Sequence, residues 1–434
     1  MARREEEETV FIVDKYTAGR MGPSEPMVGP IEAGNRIRAV TAPCCCGPLI
    51  TPHFRGGHEV TVPIEVKGAK VGDAVVLTIE KIEVKSLATS TGVSLNKEDM
   101  LGEDGLKRCP KCGAASPKTV VKGIGPSCIR CAVCGAEASP IGFEEGYTMV
   151  FDEERTVGLS VDSATAKKLA KEAKKYAALP QQAEQNPILL FALSSMVGTM
   201  ARLRPFIGHI GTCPSADIPD HMNAGDIAYR LIGAKHQFGF PDEETMRRHI
   251  TDAHLDSNAV TEGAILICPV KRDGAGVYVG DVHAAQGGGE LAGHTLDVSA
   301  EVIIKVEVIK GLQLEGPLLL PPVEFLPHLA RPYTAEEIQA GRKLAGKYGI
   351  KFEEEVGPVE VIGSGKTTND ATSNAFDRAE KLFGLSRAEL RNRCTVTGGV
   401  RIGRLGTVRL GFLAPFSILD RLGLGTHVRR QYNL

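Results

Sequence analysis

The run Gly280-Asp281-Val282-His283-Ala284-Ala285-Gln286-Gly287-Gly288-Gly289-Glu290 constrains this chain more than any other stretch. An apolar segment at 264–270 precedes it, and Val277, Tyr278 and Val279 lead straight into it. The pattern predicts a strand over 277–283. Side chains two apart on a strand point the same way, so Asp281 and His283 share a face. The glycines then allow a sharp turn or a close backbone approach, and Glu290 returns beyond it. A carboxylate and an imidazole on one face suit a metal such as zinc, or an acid/base pair. A polar hairpin whose acids merely cap the turn is the competing reading.

The same run resembles the acetamidase/formamidase family, whose hallmark is Gly-Asp-x-His-Ala-x-x-Gly-Asp-Gly-Glu. The chain matches at Gly280, Asp281, His283, Ala284, Gln286 onward to Gly287, Gly289 and Glu290, and departs at Gly288, where the family usually carries aspartate. Upstream, 255–264 (Leu-Asp-Ser-Asn-Ala-Val-Thr-Glu-Gly-Ala) and the strand expected at 264–270 are similar to the family's Asn-x-Asp segment and the strand after it. Residues 58–64 and the Gly68-Ala69-Lys70-Val71-Gly72-Asp73 turn resemble its amino-terminal element. Residues 384–390 followed by Cys394-Thr395-Val396 resemble its last helix and strand. The resemblance implies an α+β, strand-rich fold with sandwich-like sheets and several helices, and hydrolysis of a small linear amide to carboxylate and ammonia.

Such hydrolysis needs an activated water, a polarised carbonyl and a proton for the leaving nitrogen. A divalent metal, with zinc the leading candidate, held by Asp281 and His283 would supply the first two. Glu290 is assigned as general base and proton shuttle, and Asp256 as a ligand or orienting acid. Gln286 and the amides of Gly287 to Gly289 are candidate oxyanion donors. Two alternatives stay open: a related hydrolase or lyase with another substrate, and a non-catalytic zinc-ribbon adaptor on an amidase scaffold.

The second signal is a pair of Cys-x-x-Cys-Gly motifs, Cys109-Pro-Lys-Cys112-Gly113 and Cys131-Ala-Val-Cys134-Gly135. Two cysteines at this spacing can aim both thiolates at one ion, and the glycine permits the positive-φ turn that follows. Four thiolates suit a closed, structural Zn²⁺ site. Cys128 competes for a place, but only Cys131 with Cys134 carries the glycine. Free thiols, a redox pair or an iron–sulfur cluster fit the paired motifs less well. The module, 107–140, is read as an insertion between an amino-terminal β-rich part, 1–106, and the remainder, 141–434, which carries the candidate active site. Its lysines and arginines read as the solvated surface of a small module.

Bulk composition narrows the partners. Lys plus Arg (51) and Asp plus Glu (53) leave a net charge of −2, tryptophan is absent, and aromatics are 5%, so nucleic-acid binding is not expected. No signal-like or membrane-length apolar run occurs, and a cytoplasmic homo-oligomer acting on a small amide is expected. The 11 cysteines are therefore read as reduced or metal-bound. Periodicity places a half-buried strand at 301–309 and helices at 163–178 (capped by Ser163), 242–253, 334–348 and 372–383. Residues 59–84 read as hairpins. His209, His221 and His254 are candidate ligands if they gather near Asp281 and His283. Cys44-Cys45-Cys46 reads as the end of a core strand; a nucleophilic role would need His53 or His58 as base.

Overall fold

The computed structural model describes residues 10–17, 20–43, 58–96, 98–102, 105–122, 127, 129–139, 141–183, 196–219, 242, 244, 245, 248, 249, 252, 254–292, 295–404 and 406–434. Cys44, Cys45, Cys46, His53, Cys128, His221 and much of the helix expected at 242–253 lie outside these residues.

Two sheets carry the molecule. The larger has nine strands in the order Val10–Val13, Arg36–Thr41, Ala300–Ile309, Ala74–Val84, Ile265–Pro269, Leu318–Leu320, Val356–Ser364, Thr407–Pro415 and Gly399–Ile402. The smaller runs Phe206–Thr212, Ala275–His283, Ile64–Val66 and Val28–Ile31, with Asp297–Val298 paired to Ala275–His283. Side-chain alternation explains why they stack. Val75, Leu77 and Ile79 join Val302, Ile304 and Val306 in a core shared with Ile64, Val66, Ile207, Val277 and Val279 of the smaller sheet. Their neighbours Ala74 and Val76 point the other way, into a second core with Val359, Val361, Leu410 and Phe412. A strand buried on both faces must be apolar throughout, which is why Ala74–Val84 reads Ala-Val-Val-Leu-Thr-Ile at its start.

Helices cover the outer face of the large sheet. Thr368–Phe383 lays Ala371, Ala375, Ala379 and Phe383 onto it, and Arg387–Thr397 adds Leu390 and Cys394. The first of these starts earlier than the periodicity suggests, because Thr367 caps it by accepting from the Asp370 N–H. Ala335–Tyr348 begins in a Thr334/Glu337 capping box and ends at Gly349 in the left-handed region.

Several expectations need correction. The helix expected at 163–178 is two shorter ones, Ser163–Ala170 and Ala173–Tyr176, and its cap is Asp162 instead of Ser163. Residues 59–84 do not fold back as hairpins. Ile64–Val66 belongs to the small sheet and Ala74–Val84 to the large one, so the Gly68–Asp73 turn carries the chain across the sandwich. Asp73 anchors that turn by accepting from the Lys70 N–H at 2.9 Å. Cys394, Thr395 and Val396 complete a helix; the last edge strand is Gly399–Ile402.

A separately hydrogen-bonded four-stranded sheet, in the order Met200–Arg202, Val157–Ser160, Ile141–Phe151, Ala88–Asn96, packs Met149 and Tyr147 against the first core. Its long pair Ala88–Asn96 and Ile141–Phe151 is antiparallel, so the cysteine motifs lie in the connection between two paired strands.

Candidate active site

Ala275–His283 is buried along its whole length, between Phe206–Thr212 and Ile64–Val66. Its pairing places His209 opposite Gly280 and Ile207 opposite Val282, so Gly208 faces Asp281. That glycine is required by space. A Cβ on Gly208 would meet Asp256 Oδ1 at 2.4 Å, Asp281 Oδ2 at 2.5 Å and the Asp281 carbonyl at 2.9 Å. Two carboxylates from different segments thus converge over one backbone position.

Asp281 and His283 do share a face, with His283 Nε2 3.0 Å from Asp281 Oδ1. The same nitrogen lies 3.0 Å from Asp297 Oδ1. Nε2 therefore carries the hydrogen, facing two carboxylates, while Nδ1 has no hydrogen-bond partner and stands 3.8 Å from Asp256 Oδ1. Asp256, Asp281 and Glu290 adopt φ of +41°, +54° and +44°. Non-glycine residues rarely occupy this region, at a cost of about 1–3 kcal/mol each, and such strain concentrates where side chains must be aimed.

A second group meets the other oxygen of Asp281. His58, His209 and His254 gather edge-on or tilted, with ring centroids 3.8–5.1 Å apart. His58 Nδ1 lies 3.1 Å from His209 Nε2, and His254 Nε2 lies 2.8 Å from Asp281 Oδ2 and 2.6 Å from Asp256 Oδ2. Arg404 donates from Nη1 to His254 Nδ1 at 2.7 Å. His254 therefore holds its hydrogen on Nε2 and donates to Asp281 Oδ2, with Asp256 Oδ2 beside it. Potential ligand atoms of His58, His209, His254 and Asp281 fall within 4.8 Å of one another, as do those of Asp256, Asp281 and His283. Asp281 belongs to both groups.

Electrostatics separate these side chains. Burial holds the His209 imidazole well below its usual range, and the neighbouring His254 and His58 push it the same way, so it is neutral. Burial opposes charge on His283 too, yet Asp281 and Asp297 outweigh it and hold that imidazole well above its usual range. Burial followed by the Asp256 charge raises the Glu290 carboxyl well above an ordinary glutamate.

Asp256, Asp281, His283, Gln286 and Glu290 all fall in or beside this cluster. Asp256, Asp281 and His283 touch, and Glu290 is buried against Asp256. Gln286 donates from Nε2 to the Asp256 carbonyl at 3.2 Å, bracing the loop that holds Asp256, and keeps one amide hydrogen for other partners. His209 and His254 gather at Asp281 as considered for them, and His58 joins them. Sequence reasoning missed Asp297, in the short strand that follows the glycine turn, and Arg404, 150 residues from His254; neither carries a motif. A cavity of about 410 Å³ opens beside the loop, lined by Gln286, Gly287, Asn258, Tyr147, Arg204 and Phe325.

The four cysteines converge independently. Cys109 Sγ lies 3.6 Å from Cys134 Sγ, and Cys112 Sγ 4.0 Å from Cys131 Sγ. The two motifs repeat one geometry. Gly113 and Gly135 have φ of +69° and +71°, and each donates its N–H to the first cysteine of its motif, at 2.9 and 2.8 Å. The Val133 N–H points at Cys131 Sγ from 3.4 Å. The paired strands Thr119–Val121 and Ile129–Cys131 join the two turns.

Comparison with known proteins agrees with the sequence resemblance. The acetamidase/formamidase family model matches residues 45–386. The fold is similar to a recombinant predicted acetamidase/formamidase from Thermoanaerobacter tengcongensis (18% identity, TM-score 0.52, covering 96% of this chain and 98% of that one). It is also similar to an acetamidase from Yersinia enterocolitica (16%, 0.53, 94% and 93%) and one from Bacillus halodurans (15%, 0.52, 96% and 100%). No curated protein matches the chain. Among the described residues, no helix is long and apolar enough to cross a membrane. With a family match over most of its length, the chain belongs to the acetamidase/formamidase family, enzymes that hydrolyse carbon–nitrogen bonds other than peptide bonds.

Proposed function

We propose that this protein hydrolyses a small linear amide to a carboxylate and ammonia at a divalent-metal centre built around Asp281. The observation that carries the reading is the burial of Asp281 between two groups of convergent donors. Burying so many polar side chains is costly unless each finds a partner, and a cation at their meeting point supplies one. The donor chemistry fits. Nitrogen and oxygen ligands suit zinc, the neutral His209 imidazole offers a lone pair, and the carboxylates that favour a proton on His283 would equally favour a metal ion that displaces the proton from Nδ1. His283, Asp256 and Asp281 would hold one ion, and His58 and His209 would face another across Asp281. When bound, the metal polarises the amide carbonyl and acidifies a water.

The protein's own groups do the rest. Glu290, its carboxyl held above an ordinary glutamate by burial and by Asp256, takes a proton from water and returns it to the departing nitrogen. Asp297 orients His283 through Nε2, and Arg404 orients His254, which ties Asp256 to Asp281. The remaining Gln286 amide hydrogen and the amides of Gly287 to Gly289 donate to the oxyanion. The cavity beside Gln286 has room for a small amide. We further propose that the inserted module, 107–140, holds a structural Zn²⁺ through Cys109, Cys112, Cys131 and Cys134.

Metal analysis and ammonia release, measured on the same preparations, test this reading. The wild-type chain should hold at least about two equivalents of metal. His283→Ala should abolish hydrolysis and lower metal content while the ribbon ion remains. Full activity in that variant, or a single equivalent confined to the cysteines in the wild type, would leave the chain an adaptor on an amidase scaffold.

A further inference from the structure

Beyond the Asp281 centre, the same two segments build a second cluster of reactive side chains. Ser215 lies just past the strand Phe206–Thr212, and His249 and Asp252 precede the segment that supplies His254 and Asp256. Ser215 Oγ is 3.2 Å from His249 Nε2, and His249 Nδ1 is 2.9 Å from Asp252 Oδ2. His249 and Asp252 are each 2% exposed, whereas Ser215 is exposed on the wall of a cavity of about 630 Å³ that Arg248, Lys271 and Arg378 also line. Lys271 donates to Asp252 Oδ2 as well, which keeps that carboxylate ionised and fixed. An ionised carboxylate only accepts, so His249 carries its hydrogen on Nδ1 and presents the bare Nε2 to the serine hydroxyl.

We propose that Ser215, His249 and Asp252 form a second, serine-nucleophile site that cleaves small acyl esters or activated amides. The roles follow from the connectivity: nucleophile, base and orienting carboxylate joined in sequence by hydrogen bonds, with only the nucleophile open to solvent. The Ser215 Oγ–H proton passes to His249 Nε2 as Oγ bonds to the acyl carbon. The bond from that carbon to the leaving oxygen or nitrogen then breaks, and His249 returns the proton to the leaving group. A water next gives its proton to His249 and attacks the acyl-serine ester. The carbon–Oγ bond breaks, Oγ recovers the proton, and a carboxylic acid departs. The site uses none of the groups around Asp281, so it stands or falls separately from the metal-dependent reaction.

A fluorophosphonate probe and a p-nitrophenyl acetate burst assay, both on the full-length protein, test it. A single adduct on Ser215, found by peptide mass spectrometry, is expected. Ser215→Ala should lose both the adduct and the burst while retaining metal content and amide hydrolysis. His249→Gln should slow labelling by about 100-fold or more, since general base catalysis contributes at least that much. If His249→Gln does not fold, Asp252→Asn, with Lys271 still in place, serves the same purpose with an expected loss of about 10⁴-fold, as when the orienting carboxylate of a serine triad becomes an amide. Absence of an adduct, an adduct on another residue, or labelling of either folded variant at the wild-type rate would overturn the proposal and make the cluster a structural brace for Lys271.

Discussion

Replacing Gly208 by alanine tests the proposed centre without removing any of its functional groups. The φ of Gly208 lies outside the left-handed region, so alanine meets no conformational penalty there and the effect is steric. The added methyl would sit 2.4 Å from Asp256 Oδ1 and 2.5 Å from Asp281 Oδ2, whereas ordinary contacts begin at 3.4 Å. Each carboxylate must therefore retreat by about 1 Å, a misplacement that can cost roughly 100-fold in rate. Neither acid can swing freely. Asp281 is tied to His254 and His283, and Asp256 is held against His254. The strain should also destabilise the fold by about 1–3 kcal/mol, the usual penalty for overpacking a core.

Amide hydrolysis followed by ammonia release, metal content and a denaturant melt on the same protein separate these effects. We expect kcat/KM to fall by about 100-fold, with metal lost from the Asp281 centre and kept at the cysteines. A variant with unchanged kcat/KM and metal content would show that the convergence of Asp256 and Asp281 over Gly208 does not matter to the reaction. Loss of stability alone, with full activity in the folded fraction, would refute the reasoning just as firmly.

Three other outcomes are expected. Glu290→Gln should keep its metal but slow turnover by about 100-fold or more, measured at saturating amide, because the amide side chain cannot shuttle a proton. Cys131→Ser should release about one equivalent of zinc and locally unfold the module, seen as new protease cleavage between 107 and 140; retained zinc would count against the four-cysteine site. Gly288→Asp should raise turnover of acetamide and formamide relative to the natural chain, since it restores the acid usual in the family. An aspartate fits there, because a Cβ would meet only the Ile402 carbonyl, at 3.7 Å. Equal rates in the two proteins would remove Gly288 from the account of specificity.

Local chemistry made much of this architecture legible. Alternation at 301–309 identified a strand, and Val302, Ile304 and Val306 are indeed its buried side. Amphipathic periodicity marked the helix at 334–348, and the glycine after each Cys-x-x-Cys marked a left-handed turn. These signals survive because each is decided within a few residues. The helix expected at 163–178 failed for the same kind of reason. Its lysines and alanines favour helix throughout, but no strong pattern says where tertiary packing interrupts it at Lys171 and Glu172.

The centre itself was only half visible, and the reason is the register of pairing. Asp281 and His283 could be read together because a strand sets side chains two apart on one face. Asp297 reaches His283 only because Asp297–Val298 pairs with the end of that strand. Arg404 reaches His254 from just past the edge strand Gly399–Ile402, across 150 residues. His209 is the instructive case. A histidine between glycines in a short apolar run has no local signature of function, and its meaning depends on which residue lies opposite. Pairing sets His209 against Gly280 and leaves Gly208 facing Asp281, so one register supplies both an imidazole and the empty space two carboxylates need. A slip of one residue would turn His209 to the other face and put a side chain where the acids meet. Gly208 is thus part of the proposed site as much as the histidine beside it is.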